Sequence, residues 1–239
     1  MRILLRKAKE RGYAKHGWLE TYHSFSFASY FDPARMGFGA LRVINDDRIA
    51  PGQGFGAHGH ANMEIITIPL SGSLAHQDSM GNRETIETGE IQVMSAGTGV
   101  EHSEFNASET EEVTLLQIWI LPNQENVTPR YYQKKIDLLE VSNKLSLVVG
   151  NIGNAPLGIH QEAKLSLGRF DENTECVYAL DSEKHGAYIF VIEGGVRVGE
   201  IELGQRDALG IWETQDLSMS VEPGSYILVI EIPMRDFFG

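Results

Sequence analysis

Short runs in which apolar and polar residues alternate, or β-branched residues cluster, recur along the chain. They lie at Ala40–Ile44, Met63–Pro69, Ile91–Ser95, Val113–Leu121, Leu145–Val149, Ala187–Ile192, Val196–Val198 and Tyr226–Ile232. An alternation of period two puts successive side chains on opposite faces, so each run predicts a strand. Turn formers punctuate them, as in SMGN at 79–82 and EPG at 222–224, and the chain reads as mostly β. Weak helical periodicity appears only in the polar stretch 130–140, RYYQKKIDLLE, which is expected to connect two halves.

The halves resemble each other. EIITIPLSGSL is followed by Gly89 and EIQVMSAG, whereas AYIFVIEGGVRV is followed by Gly204 and QRDALGIW, and each half closes on an apolar run, QIWILP or ILVIEIP. An internal repeat of this kind predicts two stacked similar units, here two β-barrels over 1–130 and 131–239.

A chain of 239 residues and 26.6 kDa folds to a surface of roughly 11,000 Å² and buries about 70% of its extended area. Thirty-three acidic against 20 basic residues leave a net charge of −13. That sign opposes binding to phosphate backbones or anionic lipid, so neither nucleic acid nor membrane is an expected partner. The single cysteine, Cys176, rules out an internal disulfide or a cysteine-rich zinc module and fits a reducing compartment. The apolar run before Arg6 is too short for a signal segment, and Val113–Leu121 is about half a bilayer span and contains Gln117. A soluble cytoplasmic protein is expected.

Chemistry enters with histidine spacing. His58 and His60 are two apart, as are His102 and Glu104, and in a strand residues i and i+2 share a face. Each pair therefore offers two donors on one side, and two such strands facing one barrel interior would gather three imidazoles and a carboxylate around a metal ion. Glycine-rich turns precede both pairs, PGQGFGA at 51–57 and SAGTG at 95–99. Aligning the glycines of the second half puts Leu180, Ser182, Leu217 and Met219 at the corresponding positions, so only the first half carries ligands. Glu64 is a second candidate acid, because at i+4 from His60 it would share that face if the strand were continuous.

These residues resemble the cupin motifs. Gly52, His58, His60 and Glu64 follow the first motif, with Gly72 one residue late. Gly99, His102 and Asn106 follow the second, with Gly97 in place of its proline and Gly89 two residues upstream of the usual glycine. Those departures are typical of the pirin family of bicupins. The likeness extends over 17–33, 37–55, 58–65, 76–82 and 94–106, and is looser in the second half.

The resemblance implies an all-β fold of two tandem cupin barrels with few short helices. It implies a metal-dependent quercetin 2,3-dioxygenase acting on a polyphenol and O2, with the ion held by His58, His60, His102 and Glu104. Cupins in general would take the acid from Glu64 instead, which otherwise becomes a partner for an imidazole N–H. One divalent ion is expected, Fe(II), with Cu, Ni, Co, Mn and Zn also suited to the donors. Glu104 is the candidate proton acceptor for the flavonol 3-hydroxyl. The alternative is a pirin-like redox-sensing or regulatory module that contacts a protein partner. A hydrolase of the amidohydrolase type would need alternating helices that this pattern lacks.

Trp18, Tyr22, Phe25, Phe27, Phe31, Phe38 and Phe55 are candidate pocket walls, His76 and Asp78 either bear on the site or shape a hairpin turn, and His16, His23, His160 and His185 read as ordinary surface or core residues.

Overall fold

All eight predicted runs fall in strands of the computed structural model, which describes residues 1–137 and 140–234. The first half contains β2 (Gly12–Lys15), β3 (Leu19–His23), β4 (Leu41–Ile49), β5 (Gly54–His60), β6 (Glu64–Ser71), β7 (Ser73–Asp78), β8 (Arg83–Glu87), β9 (Glu90–Ser95), β10 (Val100–Asn106) and β11 (Val113–Ile120). The second contains β13 (Ser146–Asn151), β14 (Leu157–Ile159), β15 (Lys164–Phe170), β16 (Thr174–Ala179), β17 (His185–Glu193), β18 (Val196–Val198), β19 (Ile201–Leu203), β20 (Ala208–Trp212), β21 (Asp216–Val221) and β22 (Ser225–Pro233). The remaining two are β1 (Arg2–Arg6) and β12 (Arg130–Lys135), and a 3-10 turn spans Ala8–Glu10. No helix among them is long and apolar enough to cross a membrane.

The repeat is explicit in the topology. One half orders a large sheet β12-β9-β6-β11-β4-β3-β2 over a small sheet β5-β10-β7-β8. The other orders β1-β20-β17-β22-β15-β13-β14 over β16-β21-β18-β19. Each large and small sheet closes a cupin barrel, so the all-β bicupin expectation holds.

Two strands cross between the halves. β1 pairs antiparallel with β20 of the second half, and β12 pairs with β9 of the first. The edges of β20 and β9 are thereby covered, which removes two unpaired rows of backbone donors and acceptors. The weak helical periodicity of 130–140 gives way to a strand over its first six residues, while positions 138–139 lie outside the described residues. Pairing with β9 outweighs the local periodicity: Tyr131 packs inward against His76, at 4.8 Å between ring centroids, while Tyr132 stays exposed.

The folded surface is 10,932 Å². The main core lies between the two large sheets, where Ile44, Ile66, Ile118, Leu116 and Ile120 meet Tyr188, Phe190, Leu228, Ile230 and Ile232. Each fully buried side chain of this size contributes about 1.5–3 kcal/mol relative to exposure. Asp46 on β4 binds Arg206 of the other half and Arg11 at 2.8 and 2.9 Å. The opposite faces of the sheets line the barrel interiors. That of the second barrel is a continuous apolar cluster around Ile189, Leu209, Leu217, Met219 and Val229. In the first barrel two smaller clusters, around Ile49, Leu74, Val113 and Leu115 and around Ile65, Met94 and Val100, flank a polar middle.

Candidate metal centre

The four residues of the two spaced pairs converge in that polar middle. β5 and β10 run antiparallel with His58 opposite His102 and His60 opposite Val100, and the register shifts between His102 and Glu104. Alternation on β10 buries His102 and Glu104 and exposes Glu101 and Phe105. The close approach needs glycine at 54, because a Cβ there would overlap the Glu104 carbonyl and the Phe105 Cα. Ring centroids are 4.4 Å apart for His58 and His102 and 4.9 Å for both His60 pairs. Candidate ligand atoms of His58, His60 and His102 lie within 4.8 Å of one another, and so do those of His76, His102 and Glu104.

The polar atoms here are buried without protein partners. Both ring nitrogens of His102 and Oε1 of Glu104 make no hydrogen bond, a cost of about 1–3 kcal/mol for each group unless something else binds it. The remaining contacts orient the set. His58 Nδ1 lies 2.8 Å from the Gly56 carbonyl, so that nitrogen donates and Nε2 keeps its lone pair. Gln117 Nε2 donates to Glu104 Oε2 at 2.9 Å, leaving Oε1 free. Burial, reinforced by neighbouring imidazoles, lowers His60 to about 4 and His102 to about 3. Neutral imidazoles beside an unpartnered carboxylate oxygen fit a divalent cation.

Glu64 is elsewhere. The chain leaves the small sheet after His60, turns at 61–63 with Asn62 at φ 49°, and enters the large sheet at Glu64. The continuity that would have put Glu64 on the face of His60 is therefore absent. Its side chain shares the parity of Ile66 and Ile68 toward the second half, and Oε2 accepts a 2.6 Å bond from Ser95. Burial raises its pKa, against the Ser95 hydroxyl, the His160 backbone and Arg130.

His76 and Asp78 fill both roles expected of them. Asp78 accepts from the Met80 and Asn82 backbone at the turn and lies 3.0 Å from His76 Nε2. His76 Nδ1 is buried and unpartnered, with its ring 5.4 Å from that of His102.

A cavity of about 450 Å³ adjoins the cluster, lined by His58, His60, Glu104 and Gln117 and by Trp18, Phe27, Phe55 and Trp119. Three of the seven candidate aromatics thus form walls. Phe25 and Phe38 belong to the core between the halves, Phe31 is exposed, and Tyr22 packs under Arg11. Sequence reasoning missed Trp119, Gln117, Asn45 and Asp47 as wall residues and read His16 and His23, also on the wall, as ordinary. The available signal was polar residues at inward positions of otherwise apolar strands. One register row of the large sheet reads Gln92, Thr67, Gln117, Asn45, His23 across five strands. Asp47 stands on the same face, and burial raises its carboxyl to about 7 against a hydrogen bond from Thr21.

The second barrel repeats the frame without the donors. Leu217 pairs with Tyr178, and Leu180 bonds Gln215, so cross-strand register puts Tyr178 and Leu180 opposite His58 and His60. This corrects the pair Leu180 and Ser182, because strand pairing and not loop glycines sets equivalence. Leu217 and Met219 stand opposite His102 and Glu104, as expected. A larger cavity of about 790 Å³ lies at this end of the second half. Its buried acid, Glu231, is satisfied by His185 at 2.8 Å, Tyr178 and the Asp181 backbone, so His185 is a paired core residue.

Comparison with known proteins agrees with this architecture. Residues 5–120 match the pirin family, and residues 147–232 match the quercetinase C-terminal cupin domain. A protein named quercetin 2,3-dioxygenase from Escherichia coli K12 is 45% identical over 97% of this chain and 99% of its own length. A pirin-like protein from Caulobacter vibrioides is 39% identical over 91% and 94%. The crystal structure of the bacterial pirin YhhW from Escherichia coli in complex with nickel(II) superposes with a TM-score of 0.92 at 42% identity, covering 98% of this chain and all of that one. Sequence, barrel pair and histidine cluster together make this chain a member of the pirin family of bicupins.

Proposed function

We propose that the protein is a metal-dependent dioxygenase that opens the central ring of flavonols such as quercetin with O2 and releases carbon monoxide. The observation that carries this reading is the cluster of His58, His60 and His102, joined through His102 to His76 and Glu104, beside an aromatic cavity, with buried atoms of His102 and Glu104 left without protein partners. These four residues would hold one divalent ion, Fe(II) as the working metal, with Cu, Ni, Co, Mn and Zn also suited to the donors. An ion held there supplies Lewis acidity toward an ionised hydroxyl oxygen and open coordination positions.

The chain's own residues divide the remaining work. Glu104 is the proton acceptor for the substrate hydroxyl at Oε1, the oxygen that Gln117 leaves free. Trp18, Phe27, Phe55 and Trp119 offer faces and edges to a planar polyphenol and exclude water around it. In this reading residues 1–130 are the metal-binding unit and residues 131–239 a cupin-like unit without ligands. Action in the cytoplasm fits the lone thiol of Cys176.

The test is oxygen uptake and carbon monoxide release with quercetin, using protein reconstituted in turn with each metal. His58→Ala and Glu104→Gln should each lose more metal affinity than the roughly 10–100-fold typical of a group that only orients a ligand, and turnover with it, while Glu64→Gln should keep both within about twofold. No uptake with any metal overturns the dioxygenase reading. A metal-dependent conformational change without turnover would support the regulatory, protein-binding module instead.

A further inference from the structure

Asp46 and Asp47 are neighbours on β4 with opposite fates. Asp46 faces outward and its Oδ2 takes Arg11 and Arg206 at 2.9 and 2.8 Å. Asp47 faces the barrel interior, is 4% exposed and lines the 450 Å³ cavity. Thr21 donates one hydrogen bond to it, but its Oδ1 is buried with no partner. The charged neighbours that bear on it are two further acids, Asp46 and Glu104. Its cross-strand neighbours are Leu115 and Thr21, and the nearby Leu19 and Ile49 belong to an apolar cluster. Packing alone would favour an aliphatic residue here, because an unpaired buried acid destabilises the fold. A costly group retained in a pocket wall points to a ligand that satisfies it.

We propose that Asp47 is a specificity-determining residue, which accepts a hydrogen bond from a hydroxyl group of the bound polyphenol on the sheet opposite His58, His60 and His102. This rests on the reading of the cavity as a polyphenol site. A phenolic O–H is a strong donor that a buried carboxyl oxygen completes. A ring that carries hydrogen or an ether at that place leaves Oδ1 buried and unpaired, and such a mismatch rejects a ligand far more strongly than a lost apolar contact does.

The experiment titrates quercetin into metal-loaded protein and reads quenching of tryptophan fluorescence, for wild type, Asp47→Val and Asp47→Asn. Asp47→Val should bind about 10–100-fold more weakly, the cost of burying the ligand hydroxyl with no acceptor. Asp47→Asn keeps an acceptor oxygen and should stay within about threefold. Metal content should be unchanged in both, and ligand-free Asp47→Val should melt at or above the wild-type temperature. A merely structural acid predicts the reverse, a lower melting temperature. Flavonols lacking one hydroxyl at a time complete the test. One of them should lose about tenfold on wild type and nothing further on Asp47→Val, the signature of a coupled pair. Wild-type affinity in Asp47→Val, or a fall in its melting temperature, overturns the role of Asp47 alone. A wild-type protein that takes up no polyphenol removes the underlying reading and this inference together.

Discussion

The two barrels share strand order and sheet pairing and differ in what fills them. Across the large sheet of the first, one inward row reads Gln92, Thr67, Gln117, Asn45, His23. The same face of the second carries Leu209, Ile189, Val229, Ser166, Leu147. On the small sheets, the positions of His102 and Glu104 in the first barrel are taken by Leu217 and Met219 in the second. The second barrel is closed by apolar contact and by Glu231, which His185 and Tyr178 satisfy. The first keeps unpartnered nitrogens and oxygens around a cavity. One frame thus supports either an apolar interior or one that keeps unpartnered polar groups, and the choice rests on a few inward positions. The second barrel lends stability to the first through the shared core and the exchanged strands β1 and β12.

The strongest way to break this comparison is to move residues between barrels. The double variant His102→Leu, Glu104→Met gives the first barrel the side chains of the second. It should abolish metal binding, measured by elemental analysis after dialysis, and raise the stability of metal-free protein by about 1–4 kcal/mol, as replacing buried ionisable groups by apolar ones often does. A double variant that still retains stoichiometric metal would show that the ion sits elsewhere.

A smaller effect tests what positions the carboxylate. Gln117→Leu removes the donor to Glu104 Oε2 and should weaken metal binding by about 10–100-fold in a chelator competition, the usual cost of losing a group that orients a ligand. Unchanged affinity would reduce Gln117 to a wall residue.

The smallest effect is a pH dependence confined to the first barrel. Burial lowers His60 from 6.5 to about 4 and His102 from 6.5 to about 3 in the metal-free protein. Below pH 6.5 the unfolded chain binds protons that the folded one refuses, so their contribution to stability is complete above 6.5 and is lost as pH falls toward 4 and 3. Denaturant midpoints between pH 7 and 4 should drop less in the His102→Leu, Glu104→Met variant than in wild type. Equal slopes would assign the dependence to other groups.

Much of the fold was legible because strand alternation is a local property. All eight alternating runs became strands, and the repeat of glycines and closing apolar runs announced two similar barrels. The polar edge strands were harder to read. Arg130–Lys135 carries a pattern compatible with a helix, and only the unpaired edge of β9 makes it a strand; β1 likewise finds its partner some 200 residues along the chain.

The candidate site was legible in part for the same reason. His58, His60, His102 and Glu104 follow from a spacing of two in short strands, a rule that needs no tertiary knowledge. Its limit shows at Glu64, where the turn at 61–63 breaks parity and sends an equally well-spaced acid to the other face. Gln117, Asp47 and Trp119 carry no motif at all. Their importance depends on which face of a strand looks into the barrel and on which atoms find no partner there.

The amino-acid sequence alone thus determined the strands, the repeat and the candidate donors, three histidines with two competing acids, since each depends on neighbours within a few residues. Only the tertiary structure decided which acid joins the histidines, which aromatics wall the cavity, and which buried groups stay unpaired. Those outcomes depend on register between distant strands, and hydrogen-bond partners are counted only after the barrel has closed.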